Sequence, residues 1–225
     1  MISDTAWITL SQCDPNLRGV SDEGRRSSTG HNQRVLGDAG YWEVKYTEIA
    51  VMDATSARKY RAMLARLRAG EQILLPVPDP YAVDDYDGVP SSASFGADAA
   101  LRATTATINV VGPVPLEAGM YFTVGQRLYV VSEVTTEPSS GPSFLPWWDG
   151  VSWDDDATWL DAGSSPGPSY VVTFLPPLRT AATSGDPISL TSLQVLAELK
   201  TATDGDVDFE IGRLGRPSLT FVESL

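Results

Sequence analysis

The sequence predicts a mainly β fold: a β-sandwich or barrel-like core with one amphipathic helix and a loop insertion rich in Trp and Asp. Three observations carry this. The 19 Gly and 16 Pro together exceed what helix-rich chains tolerate. Apolar residues alternate with polar ones in several short runs separated by turn residues. One segment only, 53–70, has a helical period. The 225 residues, 42% apolar and 20% charged, suffice for one large domain or two small ones.

Taken in order, residues 7–10 read as a short first strand, and 12–40 as a long loop or arm, rich in Ser, Gly, Asn and Arg and without a sustained period. With so few apolar residues of its own, this arm is expected to order only against a neighbouring subunit. Residues 41–51 place Trp42, Val44 and Tyr46 on one face and Glu43, Lys45 and Thr47 on the other, the signature of a half-buried strand. Over 53–70, Ala57, Tyr60, Met63, Leu64 and Leu67 recur at helical spacing, Thr55 or Ser56 can cap the start, and Gly70 can end it. The run 72–77 (QILLPV) reads as a strand closed by the turn Pro78-Asp79-Pro80.

Residues 81–100 form an Asp-, Ser- and Gly-rich connector. A strand is predicted over 105–111, and a hairpin from 120–124 and 127–134 about a Gly125-Gln126 turn. Further strands fall at 170–175, 188–195, 206–211 and 219–222. Between 136 and 169 lie four of the six Trp, flanked by the similar joins EPSSGPS and GSSPGPS. A hairpin of 127–134 with 169–175 would close without this stretch, so it reads as an insertion. The chain then divides into 1–80 (arm plus strand-helix-strand), 81–135 with 170–225 (a β-sandwich part, in one domain with the first or separate), and the insertion 136–169.

The formal net charge is −13, which opposes a general affinity for nucleic acid, since phosphate binding needs a basic surface. The charge is uneven. Arg58, Lys59, Arg61, Arg66 and Arg68 crowd one short run, Arg25 and Arg26 sit in the arm, and Asp dominates 79–98 and 149–161. Either these cations are solvated or, on the helix and at Arg25 and Arg26, they form a subunit interface, head to tail with a copy or a stacked ring. Cys13 is alone, so neither an internal disulfide nor a cysteine-based zinc site forms, and a reducing compartment suits it. No apolar run approaches membrane-spanning length and the first residues do not read as a signal peptide, so the expectation is a soluble product of the cytoplasm.

His31 is the only histidine, it lies in the arm, and no nucleophile elbow, phosphate loop or dinucleotide fingerprint accompanies it. Neither an enzyme nor a cofactor is expected. Two other chemistries remain. Asp154, Asp155 and Asp156 could hold calcium, though the EF-hand spacing is absent and acidic surface loops are common. Trp147, Trp148, Trp153 and Trp159 could cover sugar rings, or pack on one another as the insertion's own small core.

Residues 41–78, with the aromatic pair Tyr41-Trp42, the helix pattern A-R-K-Y-R-A-M-L-A-R-L-R-A-G and an immediate strand containing Pro, resemble the N-terminal half of distal tail proteins of long-tailed, siphovirus-like bacteriophages. In the second half, G-x-x-F-T-V-G-Q-R-L-Y-V-V (119–131), T-F-L-P-P-L-R (173–179) and T-F-V-E (220–223) resemble a hairpin, a strand entering a tight turn and a terminal strand of that family. The resemblance implies a homo-oligomer, a hexameric ring beneath the tail tube that joins tube to hub and tail fibres. The strand-helix-strand region would lie in the ring wall and DNA would pass only transiently through the channel. The virion tail tip would be its location. An acidic lumen fits that passage, because it repels phosphates. The Trp-rich insertion departs from the family's common core, leaving fibre attachment, host-sugar contact and ring-to-hub packing open. The alternative of another class is a carbohydrate-binding module or polysaccharide-acting protein at the host surface.

Overall fold

The computed structural model describes residues 1, 2, 5, 8, 12–19, 21–23, 34–36, 40–51, 53–79, 92–111, 116–136, 169–201, 203–205 and 215–224. The elements in chain order are β1 (Gln12–Arg18), β2 (Ser21–Glu23), β3 (Arg34–Leu36), β4 (Tyr41–Thr47), α1 (Ala54–Arg68), β5 (Ile73–Pro76), β6 (Ser92–Phe95), β7 (Thr105–Val111), β8 (Tyr121–Val124), β9 (Arg127–Thr136), β10 (Ser169–Leu175), β11 (Pro187–Ile188), β12 (Gln194–Leu199) and β13 (Leu219–Glu223). The fold is mainly β, as expected. One sheet runs β1-β4-β13-β12-β5, a second β11-β6-β7-β10-β9-β8, both antiparallel throughout, and β2 pairs with β3 as a separate ribbon.

In the first sheet β4 alternates as its sequence demands: Trp42, Val44 and Tyr46 are buried and Lys45 is exposed. The hydroxyl of Tyr46 donates to the carbonyl of Pro76 on β5. Three strand spacings separate β4 from β5, about 14 Å in a flat sheet and beyond the reach of a tyrosine, so this sheet is strongly curled.

Residues 12–40 are not one loop. β1 pairs with β4 over its whole length, Pro15 lying opposite Val44, and Cys13 and Leu17 pack against the core. Trp42 turns its main-chain N–H toward β13, where a Glu223 oxygen accepts it. By the alternation of the ladder Val44 does likewise, which puts the missing N–H of Pro15 on the outer edge, where a proline costs the sheet nothing. The expectation that the arm orders only against a neighbour is thereby corrected for 12–18. The strand proposed at 7–10 and the tip 24–33 lie outside the described residues.

Helix α1 is capped by Asp53 and not by Thr55 or Ser56. The Asp53 carboxylate accepts from the N–H groups of Thr55 and Ser56 at 2.7 and 2.6 Å, and the Ser56 hydroxyl oxygen in turn accepts from the Asp53 N–H at 3.1 Å, a reciprocal capping box. Tyr60, Met63, Leu64 and Leu67 face the sheet and are buried, with Ala57 partly so. The chain leaves the helix through Gly70 at φ +86°, where a side chain would be strained. Tyr60 also donates from its hydroxyl to the carbonyl of Gly205 at 2.8 Å, tying the helix to the turn after β12.

The second sheet closes on itself. Thr123 of β8 and Ser189, just past β11, exchange main-chain bonds of 2.8 and 2.9 Å, so the six strands form a barrel. Its interior is filled by Phe95, Ile108, Phe122, Tyr129, Val172 and Phe174, among others. The predicted β8–β9 hairpin is present, Val124 opposite Arg127 with Gly125 at φ +62° in the turn. β9 and β10 also pair, Val171 opposite Thr136, so the strands on either side of 137–168 are neighbours; the insertion itself lies outside the described residues.

Two expectations fail here. The connector 81–100 contains β6, short and Ser-rich but with Ala93 and Phe95 turned inward. The strand predicted at 188–195 is two strands in different sheets, divided by a turn in which the Ser189 hydroxyl accepts from the Ser192 N–H at 3.0 Å and donates to the Ser192 carbonyl at 3.2 Å. As a result β12 and β13 belong with β4 and β5, and the barrel is inserted between β5 and β12. The strand proposed at 206–211 lies outside the described residues.

Candidate functional site

Two features of the described residues bear charge in a built setting, the outer face of α1 and the junction between the two sheets. On α1 the stripe Tyr60, Met63, Leu64 and Leu67 fixes which face is turned away, and Arg58, Lys59, Arg61, Arg66 and Arg68 are all exposed on it. Arg66 is engaged: its Nε and Nη2 donate to the Glu71 carboxylate at 2.6 and 2.5 Å. These bonds hold the Glu71 carboxyl down to about 2. Arg66 and Arg68 stand in the last turn, where the helix dipole favours cations. Arg58 and Lys59 stand in the second turn, beyond the first-turn N–H groups that the Asp53 carboxylate engages. Neither has a hydrogen bond or ion pair among the described residues; Lys59 acts only through its field on Asp53, whose carboxyl is held low chiefly by the Ser56 bonds.

The junction is built from β4, β9 and β13. The indole N–H of Trp42 donates to the carbonyl of Leu128 at 2.7 Å, and the Leu196 N–H to the carbonyl of Gln126 at 2.8 Å, joining each sheet to the other. Burying the roughly 200 Å² of an indole is worth about 5 kcal/mol at ~25 cal/mol per Å². Beside Trp42, Arg127 Nε stands 2.8 Å from Glu223 Oε1, and Nη2 donates to the Gly40 carbonyl at 2.9 Å. The Nε contact lies off the N–H axis and makes an ion pair without a hydrogen bond. The guanidinium also lies 5.7 Å from the centroid of the Tyr129 ring. Burial pushes the Glu223 carboxyl up, opposed by Arg127, and burial likewise pulls Arg127 down, opposed by Glu223. Each ion is thus disfavoured by its surroundings and maintained by the other. A clamp between sheets is what such a pair can supply.

A shallow depression of about 360 Å³ lies along the barrel seam, lined by Ser92, Thr123, Pro187, Ile188, Ser189 and Thr191 among others. It gathers hydroxyls and aliphatic carbons. Among the described residues no cluster of three or more His, Cys, Asp or Glu is placed to hold a metal. Cys13 is half-buried and its thiol is pushed up to about 12, first by burial and then by Asp14, so it stays a thiol at neutral pH.

Of the residues singled out in the sequence, the five cations of α1 are brought onto one surface. Arg25, Arg26, His31, Trp147, Trp148, Trp153, Trp159, Asp154, Asp155 and Asp156 lie outside the described residues. The Arg127–Glu223 pair escaped the sequence reading, although one signal was present: Glu223 continues the buried phase of Leu219 and Phe221, and a carboxylate in that phase needs a cation. No model of a known protein family matches the chain, and no curated protein matches it. Among the described residues no helix is long and apolar enough to cross a membrane.

Proposed function

We propose that the protein is a structural subunit of a ring at the distal end of a bacteriophage tail, hexameric and joining the tail tube to hub and fibres, with DNA passing through its channel. The observation that carries this reading is the order of elements. Strand β4, helix α1 and strand β5 follow one another without intervening structure, and the quoted segments fall on the β8–β9 hairpin, on β10 running into its turn, and on the terminal strand β13. That is the order in which the resembling tail proteins carry them.

A second property supports a mechanical role. The first sheet and the barrel are joined by main-chain bonds and a buried ion pair, so load applied to one is passed to the other. Such a body suits a wall element. The test is native mass spectrometry with negative-stain electron microscopy of the purified chain. Closed rings of a single size are expected. A monomer at all concentrations that binds polysaccharide would overturn the reading in favour of a host-surface carbohydrate binder.

A further inference from the structure

We infer that Pro15 guards the open edge of the first sheet, denying a second copy of this chain the strand-to-strand pairing that β1 would otherwise offer. The inference does not depend on the ring reading: it names a contact that copies are kept from making.

A strand edge with free main-chain groups is a template for pairing with another chain, and a mainly β molecule has to dispose of each one. Among the described residues the fold itself deals with the others. The barrel has no edge, since the Thr123–Ser189 bonds close it. The outer edge of β5 is covered by Ile2, whose N–H donates to the carbonyl of Gln72 at 2.8 Å and whose carbonyl accepts from the N–H of Leu74 at 3.0 Å. β2 and β3 are three residues each, too short to hold a partner strand. β1 remains. It runs for seven residues, pairs with β4 along one side, and on its other side pairs with nothing among the described residues.

The alternation of the β1–β4 ladder decides which groups this edge exposes. Asp14 and Asn16 turn their main-chain groups toward Lys45 and Glu43, so those of Cys13, Pro15 and Leu17 point outward. Two copies set edge to edge about a two-fold axis through residue 15 would place Cys13 opposite the partner's Leu17, and residue 15 opposite itself. All of these would be hydrogen-bonded pairs, with like faces of the two sheets on the same side. The side chains do not oppose it, because Asp14 would meet Asn16 and Gln12 would meet Arg18, with no like charges across the seam. The proline does. In the central pair both bonds are lost, and each pyrrolidine ring puts a CH2 where the facing carbonyl needs an N–H. A proline at 14 or 16 would break the ladder to β4; at 15 it breaks only the ladder to a copy.

The experiment compares the full chain with Pro15→Val by sedimentation velocity over a range of concentrations and by amide hydrogen exchange resolved along β1. In the wild type the N–H groups of Cys13 and Leu17 should exchange freely while those of Asp14 and Asn16 are protected. Valine restores the missing donor on each copy, and the two main-chain bonds so gained should tighten self-association by about tenfold or more over that of the wild type. The new contact should protect residues 13, 15 and 17 and leave 14 and 16 as they were. Asn16→Val adds the same side chain without an outward N–H and should associate as the wild type does. Protection of Cys13 and Leu17 in the wild type equal to that of Asp14 and Asn16 would show the edge already in use and overturn the inference. So would a Pro15→Val chain that associates no more than the wild type, or one whose association Asn16→Val reproduces, which would assign it to apolar surface. Should Pro15→Val not fold, Pro15→Thr takes its place under the same criteria, and the exchange pattern of the wild type decides by itself whether the edge is open.

Discussion

Arg127 Nε lies 2.8 Å from Glu223 Oε1 across the boundary of the two sheets, while the other carboxylate oxygen accepts the main-chain N–H of Trp42 at 3.0 Å. The Glu223 side chain is 3% exposed, so removing its counter-ion strands a carboxylate away from water. Arg127→Met is expected to cost about 3–5 kcal/mol in urea unfolding. The double variant Arg127→Met/Glu223→Gln should recover most of that loss, because the amide oxygen still accepts from Trp42 and no lone charge remains. A single-variant cost below about 1 kcal/mol would mean that water reaches the pair.

The two shifted glutamates give opposite dependences on pH. Glu71 is held at about 2, below its ordinary 4.5, by Arg66 first, so it contributes stability that is present above 4.5 and lost as pH falls toward 2. Glu223 is raised by burial, so its contribution is greatest at pH below its ordinary value and diminishes as pH rises through the folded value. Glu71→Gln should therefore flatten the acid limb of a stability-against-pH curve, and Glu223→Gln should not. Identical acid limbs for wild type and Glu71→Gln would show that the Arg66 fork is not populated in solution.

Gly205 and Gly70 share a left-handed backbone, φ +79° and +86°, and differ in their surroundings. A Cβ at Gly205 would come within 2.3 Å of Leu219 Cδ2 and 2.7 Å of the Tyr60 hydroxyl, both in the packed core, whereas nothing lies within 4 Å of one at Gly70. Gly70→Ala should cost about 1–2 kcal/mol, the backbone strain alone. Gly205→Ala adds overpacking of a further ~1–3 kcal/mol and should loosen the Tyr60 bond to Gly205. Equal melting temperatures for the two variants would contradict this packing around α1.

What could be read from the sequence follows from which elements carry a full period. β4 and α1 are buried along one whole face, and their residues announce it. β1 does alternate, Cys13, Pro15 and Leu17 facing inward, yet the proline reads as a breaker because a sequence does not tell which edge of a strand is free. β6 is short, and its serines resemble the connector around it. The run at 188–195 is apolar on both sides of its turn, and only the Ser189–Ser192 bonds reveal that the chain changes sheets there. Of the charged features, the helix cations were legible from local spacing. The Arg127–Glu223 pair was not, since its members are far apart in sequence and only the fold brings them together.

The last prediction concerns 137–168. Its ends are held by neighbouring strands, Val171 standing opposite Thr136 in the β9–β10 ladder. Opposed Cα atoms in such a ladder are about 4.5–5.5 Å apart, a gap that a short hairpin turn closes. Replacing 137–168 with a four-residue turn leaves every described strand in place, including the Thr123–Ser189 bonds that close the barrel on its other side. Shortening the loop by about three halvings also lowers its closure entropy by roughly 2 kcal/mol. The shortened protein should therefore be soluble and unfold cooperatively at or above the wild-type temperature. Four of the six tryptophans are removed with the segment, leaving Trp7 and the junction's Trp42, so with Trp7 also changed to Phe the fluorescence of the variant reports directly on that junction. A blue-shifted emission lost in one step with the circular dichroism signal is the expected result. An insoluble product, or an emission already red-shifted before unfolding, would mean that 137–168 contributes to the core and that the barrel cannot stand on β9 and β10 alone.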